Sequence, residues 1–369
     1  MDKETELLKA ALKAKRPVVG GVPTKDLLST GSTLLNLAAT NKPNGGFGKG
    51  KYFLVVGDST AGKTFLVLTT LAEACINRNF DNYDIVFDNN EDGALMDIER
   101  YYGKGLEERL LAPAWDEDTG LPLCSSTAEQ FYYNLDTWLK RCRKKGRSLI
   151  YVLDSENGLS SGSEEEKFQE QKVAHEKGKE AAGSYGDGKA KIHSSNLRRI
   201  MPELKETGSI LIIVSQTRDN LGFGHEKKTR SGGKALKFYA TVEIWMSVKE
   251  KLKLRVKGKD RTVGVLAEVR MKKNRFTGKD RTVTIPIYHS SGLDDVGACV
   301  DYLIEEDHWE QAKGEGYVTT EFGGVRERDE IIKYIEDNNL EKDLRSIVAE
   351  VWAEIEAACV VERKPRYGQ

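Results

Sequence analysis

The sequence predicts an α/β protein with a mostly parallel, twisted sheet flanked by helices. Three observations predict it. Apolar, β-prone runs at 52–56, 85–87, 149–153 and 210–214 each stop at polar or acidic residues, as buried strands do. A glycine-rich loop joins the first run to a helical pattern at 66–74. A segment of alternating apolar and polar residues, 243–292, carries GKDRTV twice, at 258–263 and 278–283, which reads as β-hairpins extending the sheet.

A chain of 369 residues makes one large domain or two to three smaller ones. Charged residues are 31% of it and nearly cancel, to a net charge of -1. That excludes a protein coating nucleic acid by bulk charge; any such site must come from local clusters of Lys and Arg. No apolar run approaches the roughly 20 residues that span a bilayer. The start, MDKETELLKAALKAK, is charged from its second residue and does not read as a secretory leader. The five cysteines, Cys75, Cys124, Cys142, Cys299 and Cys359, are scattered without a CxxC pair. Reduced thiols, a cytoplasmic location and no membrane contact are expected.

Taken in order, Leu7, Leu8, Ala11 and Leu12 form an apolar stripe at helical spacing, followed by a proline- and glycine-containing tether over 15–25. The run at 52–56 then leads into Gly57-Asp58-Ser59-Thr60-Ala61-Gly62-Lys63-Thr64-Phe65. This is G-x-x-x-x-G-K-[ST] between a strand and a helix, the context that motif requires. Loop amides and the helix N-terminus surround a phosphate there, Lys63 adds a cation, and Thr64 offers a hydroxyl to Mg²⁺. A chance glycine turn is the bland alternative.

The run at 85–87 ends in DNNEDGA, where Asp88 and Glu91 are both candidates for a general base; position favours neither. The run at 149–153 ends at Asp154, a strand-end carboxylate suited to Mg²⁺, or else a helix cap. An acidic stretch over 160–182 follows, including Glu164, Glu165 and Glu166, with no role legible. Next comes the helical NLRRIMPEL and the run at 210–214, which opens into SQTRDNLGFGHEKKTRSGGKALKFYA. In that loop Arg218, Lys227, Lys228, Arg230 and Lys234 offer cations to phosphates. Gly222, Gly224, Gly232 and Gly233 permit close backbone approach, and Phe223 can stack on bases. Past 290, Ile331, Ile332, Ile335, Leu344, Ile347, Val348, Val351, Trp352 and Ile355 suggest two amphipathic helices.

From about residue 28 to 320 the chain resembles the RecA family of recombinases, closer to its divergent phage-encoded members. The resemblance is carried by LSTGSTLLNLAATN with the phosphate loop, by DNNEDGA, by LDSENGL, and above all by the long SGGKALKFYA exit of the cationic loop. It implies a RecA-like P-loop NTPase core at 26–289, to which the apolar patterns on either side add a short N-terminal helix and tether at 1–25 and a small α-containing C-terminal domain at 290–369. It implies ATP and Mg²⁺ as cofactors and favours Glu91 over Asp88 as the base. Gln216 becomes the sensor of the γ-phosphate, and the loop after it a contact to single-stranded DNA. Lys191 and Arg198, with Arg199 beside them, fall on family positions that face DNA. Lys273 and Arg275, in RMKKNRFTG, match a cation pair that reaches the neighbouring subunit's ATP. Tyr101 is the candidate for stacking on adenine, with Tyr102 as the alternative.

The resemblance further implies a DNA-dependent ATPase that forms helical homo-oligomeric filaments on single-stranded DNA and exchanges strands with homologous double-stranded DNA. A single-strand-binding protein or a mediator would be a further partner, and a phage-encoded chain would act in the host cytoplasm. A ring-forming helicase or translocase with the same core, and a filament-loading mediator ATPase, are the alternative functions.

Overall fold

The first core strand shows how the layers form. In a computed structural model, which describes residues 21–91, 96–176, 188–219, 228–230, 232–310, 317–361 and 363, all six residues of Tyr52–Gly57 are buried. Successive side chains of a strand point to opposite faces. Phe53 and Val55 enter one apolar core, whereas Tyr52, Leu54 and Val56 enter another. A strand buried on both faces reads as a continuous apolar run, and this is why the sequence shows runs rather than alternation here.

The ten strands of the main sheet are β1 (Tyr52–Gly57), β2 (Tyr83–Asn89), β3 (Leu110–Leu111), β4 (Ser148–Asp154), β5 (Ile210–Asp219), β6 (Lys228–Arg230), β7 (Val242–Val256), β8 (Lys259–Asn274), β9 (Thr282–Tyr288) and β10 (Gly292–Leu293). Their spatial order is β10-β9-β8-β7-β1-β5-β4-β2-β3, with β6 paired to β5. From β7 to β3 every neighbour is parallel. From β7 through β10 the pairing is antiparallel, so the GKDRTV copies do form hairpin turns on an extended sheet.

The labelled helices are α1 (Thr33–Thr40), α2 (Lys63–Ile76), α3 (Ala128–Lys144), α4 (Gly162–Glu176), α5 (Gly188–Thr207), α6 (Gly233–Tyr239), α7 (Asp295–Glu305), α8 (Arg328–Asp337) and α9 (Glu341–Ala358). Helices α1, α2, α7, α8 and α9 cover one face and α3, α5 and α6 the other. Local signals fix several ends. Ser32 caps α1 by accepting from Leu35 N, and Thr127 caps α3 by accepting from Gln130 N.

Three expectations are refined. The cationic loop does not begin at Ser215: β5 continues to Asp219, because Thr217 and Arg218 pair with Arg230 and Thr229 of β6 and so satisfy their backbone groups. The acidic stretch contains a helix, α4, started by a reciprocal cap in which Ser161 Oγ accepts from Glu164 N (3.4 Å) and Glu164 Oε2 accepts from Ser161 N (2.8 Å). Glu164, Glu165 and Glu166 are exposed on it. Finally, the division placed between 289 and 290 falls in the turn between two hydrogen-bonded strands, β9 and β10. Helices beyond that turn share an apolar core with α1, and Asp295 at the start of α7 accepts from Thr33 N (2.6 Å) and Oγ1 (2.8 Å). The expected N-terminal helix lies outside the described residues. Among the described residues no helix is long and apolar enough to cross a membrane. The five cysteines are free thiols.

Candidate active site

Parallel strands end together, and the candidate residues sit on those ends. The register sets Gly57 of β1 level with Gln216 of β5, and Asn89 of β2 level with Asp154 of β4. In open α/β sheets that edge is where ligands bind. The phosphate loop leaves β1 there, with Ser59 and Thr60 exposed and Ala61 buried. Gly62 has φ 86°, and a Cβ on it would lie 2.3 Å from Ile287 Cδ1, so only glycine fits between the loop and β9. The Lys63 ammonium donates to Gly57 O (3.0 Å) and Asp58 O (2.7 Å). Burial pushes its pKa down, against the pull of Asp154, Glu91 and Asp58. The Thr217 hydroxyl donates to Asp58 Oδ1, tying the loop to β5.

The carboxylates separate by environment. Asp154 accepts from the Thr64 hydroxyl at 2.7 Å. Burial raises its pKa; the Thr64 bond and Lys63 oppose this, and Glu91 adds to it. Asp88 is fully buried and accepts from Ser125 N (2.8 Å), Ser125 Oγ (2.6 Å) and Tyr151 OH (2.8 Å). It is a structural group on the α3 side of the sheet. Glu91 is exposed; it accepts from the Ser155 hydroxyl through Oε1 and from Gln216 Nε2 (2.8 Å) through Oε2. The arrangement can hold a cation between Thr64 and Asp154 and polarise a water beside Glu91.

A cavity of about 290 Å³ adjoins the phosphate loop, lined by Lys63, Thr64, Phe65, Met96, Ile287 and His289 among others. Tyr101 closes its rim: its hydroxyl donates to His289 O (2.7 Å), and its ring meets Phe65 edge-on with centroids 6.1 Å apart. A second cavity of about 410 Å³, beside Arg281, Trp352 and Glu356, is set between the antiparallel strands and α7 and α9 and holds none of these residues.

The cations lie in three places. Arg218 is exposed on β5, and Lys228 and Arg230 are on β6. Phe223, Lys227, Gly222 and Gly224 lie outside the described residues. Gly232 (φ 79°) and Gly233 bring the chain back into α6, where Lys234 is exposed. Lys191 and Arg198 are exposed on α5, whereas Arg199 is engaged by Asp136 and by Glu203 (3.9 Å). Lys273 and Arg275 are not brought to this chain's own phosphate loop. Lys273 pairs across β8 and β7 with Glu243, which is level with Leu54 towards the other end of the sheet. There Lys273 Nζ donates to Lys237 O (2.5 Å) and Phe238 O (2.9 Å), and Arg275 Nη2 to Phe238 O (2.7 Å), at the last turn of α6.

Sequence reasoning missed Ser155, Asn157 and Thr217. Asn157 Oδ1 accepts from Gln216 N (2.7 Å) and Ser215 Oγ (3.2 Å). No spacing signals such a contact, since it depends on where two distant strands stop.

Known proteins are similar to this chain in sequence. The model of the RecA N-terminal domain matches residues 172–294, a stretch that runs from α4 through β10 and includes the cationic loop. Protein RecA of Rippkaea orientalis is 28% identical over 322 residues, covering 85% of this chain and 79% of that protein. Protein RecA of Rickettsia bellii (strain RML369-C) is 26% identical over 348 residues, covering 90% and 87%. Among solved structures, that of the RadB recombinase gives a TM-score of 0.48 at 15% identity, covering 73% of this chain and 99% of that one. A phosphate loop, a strand-end aspartate and the SGGKALKFYA segment lie in one colinear match, and over most of its length the chain is similar to the RecA recombinases.

Proposed function

We propose that the chain is a DNA-dependent ATPase that assembles head to tail on single-stranded DNA and exchanges strands with homologous double-stranded DNA. One observation carries this reading. Gln216 Nε2 donates to Glu91 at 2.8 Å, so the side chain at the root of the cationic loop touches the candidate base of the phosphate site.

The residues present fit a magnesium nucleotide. Thr64 Oγ1 and Asp154 Oδ2 are hard oxygen donors already 2.7 Å apart. Lys63 holds its ammonium against loop carbonyls that phosphate oxygens would replace. Magnesium, when bound, neutralises charge on the β- and γ-phosphate oxygens. Phe65 and Tyr101 offer aromatic surface to the base. Glu91 orients the attacking water and takes its proton. Gln216 then chooses between the Glu91 carboxylate and a γ-phosphate oxygen, and this choice sets the register of the loop that grips DNA. Lys273 and Arg275 lie away from their own chain's phosphates, so in a head-to-tail assembly they serve the next subunit's. A repeating contact of that heterologous kind builds an open helix.

The test is a three-strand exchange assay beside electron microscopy with ATP and single-stranded DNA. Filaments and exchanged product are expected. Closed rings would support a helicase, and DNA-independent ATP binding without either product would support a mediator. Glu91→Gln should bind ATP yet turn it over at least about a hundredfold more slowly; unchanged turnover would remove Glu91 as the base.

A further inference from the structure

Directly after Asp154 the chain makes a single tight turn, Glu156–Gly158, and four parts of the site meet on it. The first is the strand entering the cationic loop. The ladder between β4 and β5 ends at Leu153 and Ile213, so β4 has no backbone left to pair with Gln216. Asn157 Oδ1 takes that place, accepting from Gln216 N at 2.7 Å and from Ser215 Oγ at 3.2 Å. A side chain here extends a sheet past the end of its strand.

The second part is the base. Gly158 lies so close to it that a Cβ would stand 2.9 Å from Glu91 Cγ and 2.9 Å from Asn90 Oδ1. The third is the residue where the cationic loop returns: a Cβ on Gly232 would be 2.3 Å from Leu236 Cδ1 and 3.0 Å from Glu156 Cδ. The fourth is α5. Glu156 is fully buried, with Lys189 Nζ at 3.4 Å and His193 Nε2 at 3.3 Å from its Oε1. His193 Nδ1 in turn meets Tyr132 OH at 2.9 Å, and Lys189 Nζ donates to Leu159 O at 2.9 Å. The same helix carries Lys191 and Arg198.

We propose that the turn Glu156–Gly158 is the piece through which the nucleotide site positions both ends of the cationic loop, with Asn157 as the positioning residue for Gln216. This rests on the proposed function, since it explains how a contact at Glu91 becomes a change in DNA grip. A side-chain contact at Gln216 acts on the entering strand and on β6 paired to it, but not directly on Gly232, where the chain turns into α6. The turn holds the entering strand through Asn157 and borders the start of α6 through Glu156, so a shift of Glu91 against Gly158 reaches both ends of the loop.

The experiment measures ATP turnover by the full chain with and without a poly(dT) oligonucleotide. Asn157→Ala removes the acceptor and should lower kcat in the presence of DNA about tenfold, with the KM for ATP moved less than about twofold. Asn157→Asp keeps an acceptor oxygen at the same reach and should recover to within about threefold of the parent. A purely structural role would move KM and kcat together, without rescue by Asp. DNA-stimulated kcat within about twofold of the parent in Asn157→Ala, or equal losses in both variants, overturns the proposal. Should Asn157→Ala fail to fold, Gly232→Ala tests the other side. Its Cβ crowds Leu236 Cδ1 as well as Glu156, and it should lower DNA stimulation at a nearly unchanged KM for ATP; full stimulation there also overturns the proposal. Gln216→Ala separates the two levels. If it keeps full DNA stimulation, the functional reading itself fails; if it loses stimulation while Asn157→Ala keeps it, only the role of the turn fails.

Discussion

Residues 242–246 of β7 are buried or nearly so against β1, whereas 249–256 of the same strand are almost all exposed. Nothing in the strand's own geometry changes at that point. What changes is its company: β1 ends at Gly57, opposite Met246, and beyond it β7 pairs only with β8. The buried half is apolar apart from Glu243, because helices cover both of its faces. The exposed half alternates Lys251, Lys253 and Arg255 with Leu252, Leu254 and Val256, and most of them meet water. The boundary falls on the line of strand ends that holds Lys63, Asp154 and Gln216. Rigid, doubly covered strands thus present the chemical groups, and the chain becomes polar where it leaves that cover.

The comparison can be broken by substitutions on either side of the line. The largest effect is expected from Lys63→Ala, which should lower ATP turnover by at least about a hundredfold while the melting temperature stays near that of the parent. Substantial turnover would mean that the strand-end line is not the site. Next, Leu153→Ala, at a fully buried position on β4, should cost about 3 kcal/mol in a urea titration.

A smaller effect concerns pH. Burial raises the pKa of Asp88, against the bonds from Ser125 and Tyr151. The folded chain therefore binds this proton more tightly than the unfolded one. Stability from this group is greatest when it is protonated and falls as pH rises from the ordinary value of 3.8 through its raised folded value. Asp88→Asn should flatten that part of the profile in melts from about pH 4 to about pH 7; an unchanged slope would contradict the assignment. The smallest change is expected at Leu254, exposed on the hairpin, where Leu254→Ala should shift stability by no more than about 0.5 kcal/mol. A loss comparable to that at Leu153 would show that the exposed half is covered in solution.

Elements buried on both faces were legible in the sequence because their apolar runs are continuous and their ends abrupt. The phosphate loop was legible because a motif and its strand–helix context coincide. Other features depended on tertiary placement. SQTRD does not read as a strand, and its last residues become one only by pairing with β6. Asp88 and Glu91 could not be ranked from position, although parity offered a clue. Residue 88 shares the face of Val86, which points into the α3 side of the core. The start of α4 was readable in principle, since Ser161 and Glu164 have capping-box spacing. Asn157 was not, because its partners are set by where β4 runs out.

Tyr101 and His289, joined by a hydrogen bond beside the cavity at the phosphate loop, are 188 residues apart in the chain. Closing a loop over such a span carries an entropic cost that the rest of the fold must offset. The cavity wall is shared between the 96–109 segment and the strand that leads to the C-terminal helices. A ligand seated there binds only molecules that have completed this step. It thereby stabilises the whole chain by mass action, through a seam that adjoins the phosphate loop.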